Sequence, residues 1–128
     1  VAIPSYQDYI TRAKLSKVSV AVDSVKTALA EYAQDTGTSA GATLTSIGIP
    51  TPGTTSEVSA IALTAGGGVQ ATIRNVGTGY DTATVTWTPV LGGANLTWTT
   101  TCAGFGSGSA VVANRDKIFA KPYNQTSC

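Results

Sequence analysis

From Leu15 onward, apolar residues recur in alternating steps of three and four: Leu15, Val18, Val22, Val25, Leu29 and Tyr32. That spacing draws one continuous stripe along an α-helix. Upstream, Ile3, Tyr6, Ile10 and Ala13 keep the same steps but lie on another side. No glycine occurs between Ile3 and Asp35, and no proline after Pro4. The pattern predicts a helix over residues 1–35. Pro4 suits its first turn and Asp8 its positive end. Asp35-Thr36-Gly37 is the stop signal, with Gly37 just past the last turn. From Pro4 to Asp35 such a helix would run roughly 48 Å at about 1.5 Å per residue. A compact domain of this size has a radius of gyration of only about 14 Å. The stripe from Leu15 therefore covers a sheet of its own domain. The half before Leu15 projects and lacks an intramolecular client; the alternative is one amphipathic helix buried along its length.

Residues 36–57 are rich in Gly, Ser, Thr and Pro, with Leu44, Ile47 and Ile49 as isolated apolar residues. They predict a long loop tacked to the core by those three and stiffened by Pro50 and Pro52. From Val58 the period becomes two. Val58–Thr64 is a first strand with Ile61 and Leu63 on one face, and Ala65-Gly66-Gly67-Gly68 is a hairpin turn. Val69, Ala71 and Ile73 mark a second strand. Asn75–Asp81 turns the chain. Ala83, Val85 and Trp87 alternate with threonines in a third strand that Pro89 ends. After a turn at Leu91–Asn95, Leu96, Trp98 and Thr100 mark a fourth strand, and residues 58–101 form the sheet. Short links imply an antiparallel meander, apolar on one face and threonine-rich on the other. The fold class is α+β: one long N-terminal helix laid across a four-stranded antiparallel meander, with no second helix of any length. Val85, Trp87, Leu96 and Trp98 join the helix stripe in the core.

Residues 102–128 begin with Gly104, Gly106 and Gly108; Ser109–Ala113 is a candidate edge segment, and Ile118, Phe119 and Tyr123 are anchors. Cys102 and Cys128, both in polar, loop-like sequence, suggest a disulfide and an oxidising compartment. Two unpaired thiols are the alternative. A bridge would remove roughly 3–4 kcal/mol of unfolded-chain entropy. Arg115, Lys117 and Lys121 make this loop locally basic. A solvated surface is the plainer reading, and a ligand-binding one the sharper.

Composition narrows the function. At 128 residues there is room for one domain with a real core. Eight Lys+Arg against seven Asp+Glu give no general pull towards nucleic acid. No apolar run is long enough to span a bilayer. The chain contains no His, which removes the commonest general base and metal ligand. A bridged cysteine pair leaves neither thiol nucleophile nor zinc site. The carboxylates show no glycosidase-like pairing, and Gly66–Gly68 is no phosphate loop. The reading is therefore not an enzyme, with no cofactor, catalytic residue or metal site. Asn95-Leu96-Thr97 and Asn124-Gln125-Thr126 match a glycosylation triplet that chance often supplies.

Ala2-Ile3-Pro4-Ser5-Tyr6-Gln7-Asp8-Tyr9, followed by Arg12-Ala13-Lys14, resembles the middle of the N-terminal helix of type IV pilins. The likeness is specific over about the first eighteen residues and architectural beyond them: spine helix, αβ-loop at 36–57, four-stranded sheet, and a C-terminal D-region at 102–128. The Cys102–Cys128 pair resembles that region's bridge. The resemblance implies a structural pilus subunit of the major, type IVa-like kind, serving adhesion, twitching motility or biofilm formation. It implies polymerisation with copies of itself through Ile3, Tyr6, Tyr9, Ile10 and Ala13, alongside other pilins and the assembly machinery. The family's N-terminal phenylalanine, nearby glutamate and membrane-spanning half-helix are absent here. A soluble, truncated form is thus implied. Its missing segment would hold the subunit in the inner membrane, head in the periplasm, before export to a surface filament. Pro4 resembles the family's helix-kinking proline. Two alternatives stay open: a minor pilin binding DNA through Arg115, Lys117 and Lys121, and a pseudopilin of a type II secretion system.

Overall fold

The computed structural model describes residues 2–49, 53–91, 96–120 and 128. Helix α1 spans Ala2–Ala21 and helix α2 Asp23–Thr36. The expected single helix is interrupted only at Val22, at φ −95° and ψ −3°. The Lys26 amide still bonds to the Val22 carbonyl at 2.8 Å, so the rod continues past the irregularity. Gly37 ends it with φ +83°, donating its N–H to the Ala33 carbonyl. Only a residue without a Cβ takes that conformation at no steric cost.

Four strands follow: β1 Val58–Leu63, β2 Val69–Ile73, β3 Thr84–Val90 and β4 Thr97–Ala103. They pair antiparallel in the order β1-β2-β3-β4. Leu15, Val18, Val22, Val25 and Leu29 are fully buried against Val58, Ile61, Val69, Ala71, Ile73, Val85 and Trp87. Burying a side chain of this kind is worth roughly 1.5–3 kcal/mol, so this one layer carries most of the fold. Tyr32 and Trp98 are half-buried at its margin. Within the 36–57 loop Ala42 is buried in the core, and Leu44, Ile47 and Ile49 pack against it half-buried. The opposite sheet face shows threonine to water, with Thr97, Thr99 and Thr101 exposed.

Several local expectations are corrected. Pro89 does not end the third strand; it pairs with Trp98 within β3. Past Trp87 the strand pairs with β4 alone, and a proline is tolerated where no second strand needs its N–H. That strand begins at Thr84, after the Ala83 with which the expected alternation opens, because the preceding Thr82 adopts φ +68° in the closing turn. In β1 a bulge at Ser59 lets Val58 and Ile61, three apart, both face the core, while Leu63 is half-buried. Leu96 lies outside the strand and is half-buried. Residues 109–113 are not an edge segment but helix α3, Ser109–Arg115, which runs into a π-helical turn at Asp116–Ala120. The Gly106 amide bonds to the Gly79 carbonyl at 2.9 Å and draws the chain away from the sheet edge before α3 begins. The helix layer therefore has a second cover, through which Phe119 is fully buried edge-on to Trp87, ring centroids 6.0 Å apart. Lys121, Tyr123, Pro50, Pro52 and both glycosylation triplets fall wholly or partly outside the described residues.

The Cys102–Cys128 disulfide closes this C-terminal segment onto β4, with Cα atoms 5.4 Å apart.

Candidate functional site

The helix face turned away from the sheet carries Tyr6, Tyr9, Ala13, Lys17, Val20, Ser24, Thr27 and Glu31 at steps of three and four, all exposed. Tyr6 is 64% exposed, Tyr9 72% and Val20 68%. Three large side chains along one seam are unlike the scattered single apolar residues of an ordinary surface. Val20 extends the bare face past the expected boundary at Leu15. Its spacing from Tyr6, Tyr9 and Ala13 was the readable signal. Ile10 is half-buried and off this seam, and the side chain of Ile3 is not among those described.

The half before Leu15 does have an intramolecular client, contrary to the expectation. Asn114, on α3, is 1% exposed. Its Oδ1 accepts from Arg12 Nε at 2.8 Å. Its Nδ2 donates to the Tyr80 hydroxyl at 3.0 Å and to Asp8 Oδ1 at 3.4 Å. One buried amide thus joins α1, the β2–β3 turn and α3. Lys14 adds a bond from its ammonium to the Asn75 carbonyl at 3.3 Å. Beneath them, Tyr80 meets Phe105 edge-on at 6.3 Å, and Phe105 meets Phe119 at 6.3 Å. Periodicity could not reveal Asn114; a lone polar residue in a short helix leaves no pattern. These contacts hold one flank of α1 and leave the Tyr6–Tyr9 flank bare. Between the flanks, Tyr9, Arg12, Ala13 and Ser16 line an open cleft of about 380 Å³ with Lys117 across it.

Of the basic trio, Arg115 is engaged within the chain. The Arg115 guanidinium pairs with Asp116 at 2.9 Å and sits 6.0 Å from the Phe105 ring centroid. Lys117 is exposed at the cleft, and Lys121 lies outside the described residues. Burial pushes the Asp116 carboxyl up, but hydrogen bonds from Arg115 and the Cys128 amide, with the Arg115 charge, outweigh it. The net effect holds Asp116 below the ordinary aspartate value. Its Oδ1 accepts from the Cys128 N–H at 3.0 Å, fixing the last residue to the end of α3. Among the described residues, no helix is long and apolar enough to cross a membrane.

A family model for pilin, a bacterial filament protein, matches residues 11–118. No curated protein gives a significant match.

Proposed function

The chain belongs to the pilin family, and from that premise we propose that it is the repeating subunit of a type IV pilus, serving adhesion, twitching motility or biofilm formation. Pilins are structural filament proteins, and this chain is a subunit of that class. The observation that supports the finer reading is the bare helix seam, with Tyr6, Tyr9 and Val20 exposed on the side opposite the core.

Side chains at alternating steps of three and four form the ridges that dock one helix against another. Copies related by a screw operation meet head to tail, and such contacts do not close into a ring. Burying three such side chains contributes roughly 1.5–3 kcal/mol each. Association itself costs on the order of 4–15 kcal/mol. One pairwise contact is therefore weak, and the fibre holds because each subunit touches several neighbours. In this reading the helices line the axis, while the 36–57 loop and the 102–128 region lie at subunit contacts and on the outer surface. Other pilins and the assembly machinery are partners, with inner-membrane anchorage before export. The DNA-binding alternative loses one of its three cations to Asp116, and the disulfide argues against the pseudopilin alternative.

The test is mass spectrometry and negative-stain microscopy of filaments sheared from cells that make this protein. This chain is expected as their main component. Tyr9→Lys should abolish the fibres while the disulfide-bonded subunit is still made. Fibres without this chain would overturn the reading.

A further inference from the structure

Glu31 and Asp35 stand exposed near the end of α2, whose last turn holds no basic residue. Carboxylates there face the negative pole of the helix, and two acids four residues apart repel. Neither makes a hydrogen bond or ion pair among the described residues. Lys17 and Lys117 are exposed and equally without partners among those residues. Lys17 is fourteen residues before Glu31, close to four whole turns, so the two share the outer seam. The gap from Lys17 to Glu31 and Asp35 is about 21–27 Å along the axis. That exceeds two screening lengths of about 8 Å at physiological salt, so the charges do not neutralise each other within one copy.

We infer that Lys17 and Lys117 of one copy seat against Glu31 and Asp35 of a second copy, displaced along the helix by about 21–27 Å. This rests on the filament reading and adds its register. Lys17, Glu31 and Asp35 lie on one rod, and Lys117 faces its Tyr9–Ser16 stretch from the turn at Asp116–Ala120, so the shift that satisfies one contact recurs at the next, giving an open, non-closing series. Exposed ion pairs add little affinity. Their effect is selection: any shift that sets lysine on lysine or acid on acid is penalised.

A zero-length carbodiimide joins an amine to a carboxylate only where the two touch. Within one copy Lys17 and Glu31 are too far apart, so a link between them must join two copies. Purified filaments should yield Lys17 linked to Glu31 or Asp35, and dispersed subunits should not. Filaments whose lysines link only to other carboxylates would overturn the register and leave the filament reading standing; an absence of filaments would overturn both. Lys17→Glu should lower filament yield about tenfold or more through like-charge contact, with the urea midpoint of the soluble subunit unchanged. Adding Glu31→Lys to the same chain should restore assembly, and failure to do so would also overturn the pairing.

Discussion

Asn114 shows how much one buried amide can hold. Its oxygen answers a guanidinium and its nitrogen a phenol, both from distant parts of the chain. Asn114→Ala would leave Arg12 Nε and the Tyr80 hydroxyl without that partner. Losing one partner of a buried bond costs about 1–3 kcal/mol, and more where a charge is involved. A loss of about 2–4 kcal/mol is expected, read as a lower urea midpoint with unchanged slope. Tyr80→Phe, which removes only a neutral hydroxyl, should cost about 1 kcal/mol; equal losses would mean that Arg12 gains nothing from the amide. Asp116 makes a separate prediction in pH. Its carboxyl is held below the ordinary value of about 3.9. Its contribution is therefore complete above that value and fades as pH falls through the lower, folded-state value. Asp116→Asn should be less stable than the parent at pH 7, with the two midpoints converging in strong acid. A constant difference from pH 7 to about pH 2 would show that the carboxylate charge contributes nothing.

At the scale of elements, what the sequence revealed was whatever repeated. The stripe from Leu15 to Leu29 is the face that lies on the sheet, because five residues at a fixed period outweigh local noise. The alternation in 69–73 and 84–88 gave both inner strands. Where one residue broke the period, the reading failed. The bulge at Ser59 moved Val58 onto the face of Ile61, and Thr82 entered a turn that its β-branched side chain disfavours. Helix α3 was missed because Val111 and Val112 have high strand propensity over a stretch too short for a helical period. Tertiary contact decides that segment: Gly79, in the turn before β3, lies so close to Val111 that a Cβ there would collide with its side chain. The exposed seam was half legible. Tyr6, Tyr9 and Ala13 stood out, but Val20 sat among Val18 and Val22 and was hidden by the buried stripe beside it. Nothing in the spacing could say that Asn114 would cover the opposite flank of α1.

At the scale of the molecule, the rod is held to its head twice: by the sheet from Leu15 onward, and by the 102–128 segment over the first turns. The second attachment is itself closed by a bridge with 26 residues of separation. Opening that loop in the unfolded chain releases entropy worth roughly 3–4 kcal/mol. A domain of this length is typically stable by roughly 6–15 kcal/mol, so the reduced protein should stay folded but weakened. The attachment through Asn114 lies inside the loop, which couples the two effects. If reduction lets α3 lift from α1, the amide no longer meets Arg12, and Asn114→Ala then removes nothing further. The cost of Asn114→Ala should therefore shrink in dithiothreitol, against the near-additivity of independent sites. Urea midpoints of parent and variant, each with and without reductant, form the cycle that measures this. Strict additivity would mean that α3 stays docked on the spine without its covalent closure. The disulfide would then secure only the end of the chain and not the orientation of the exposed seam.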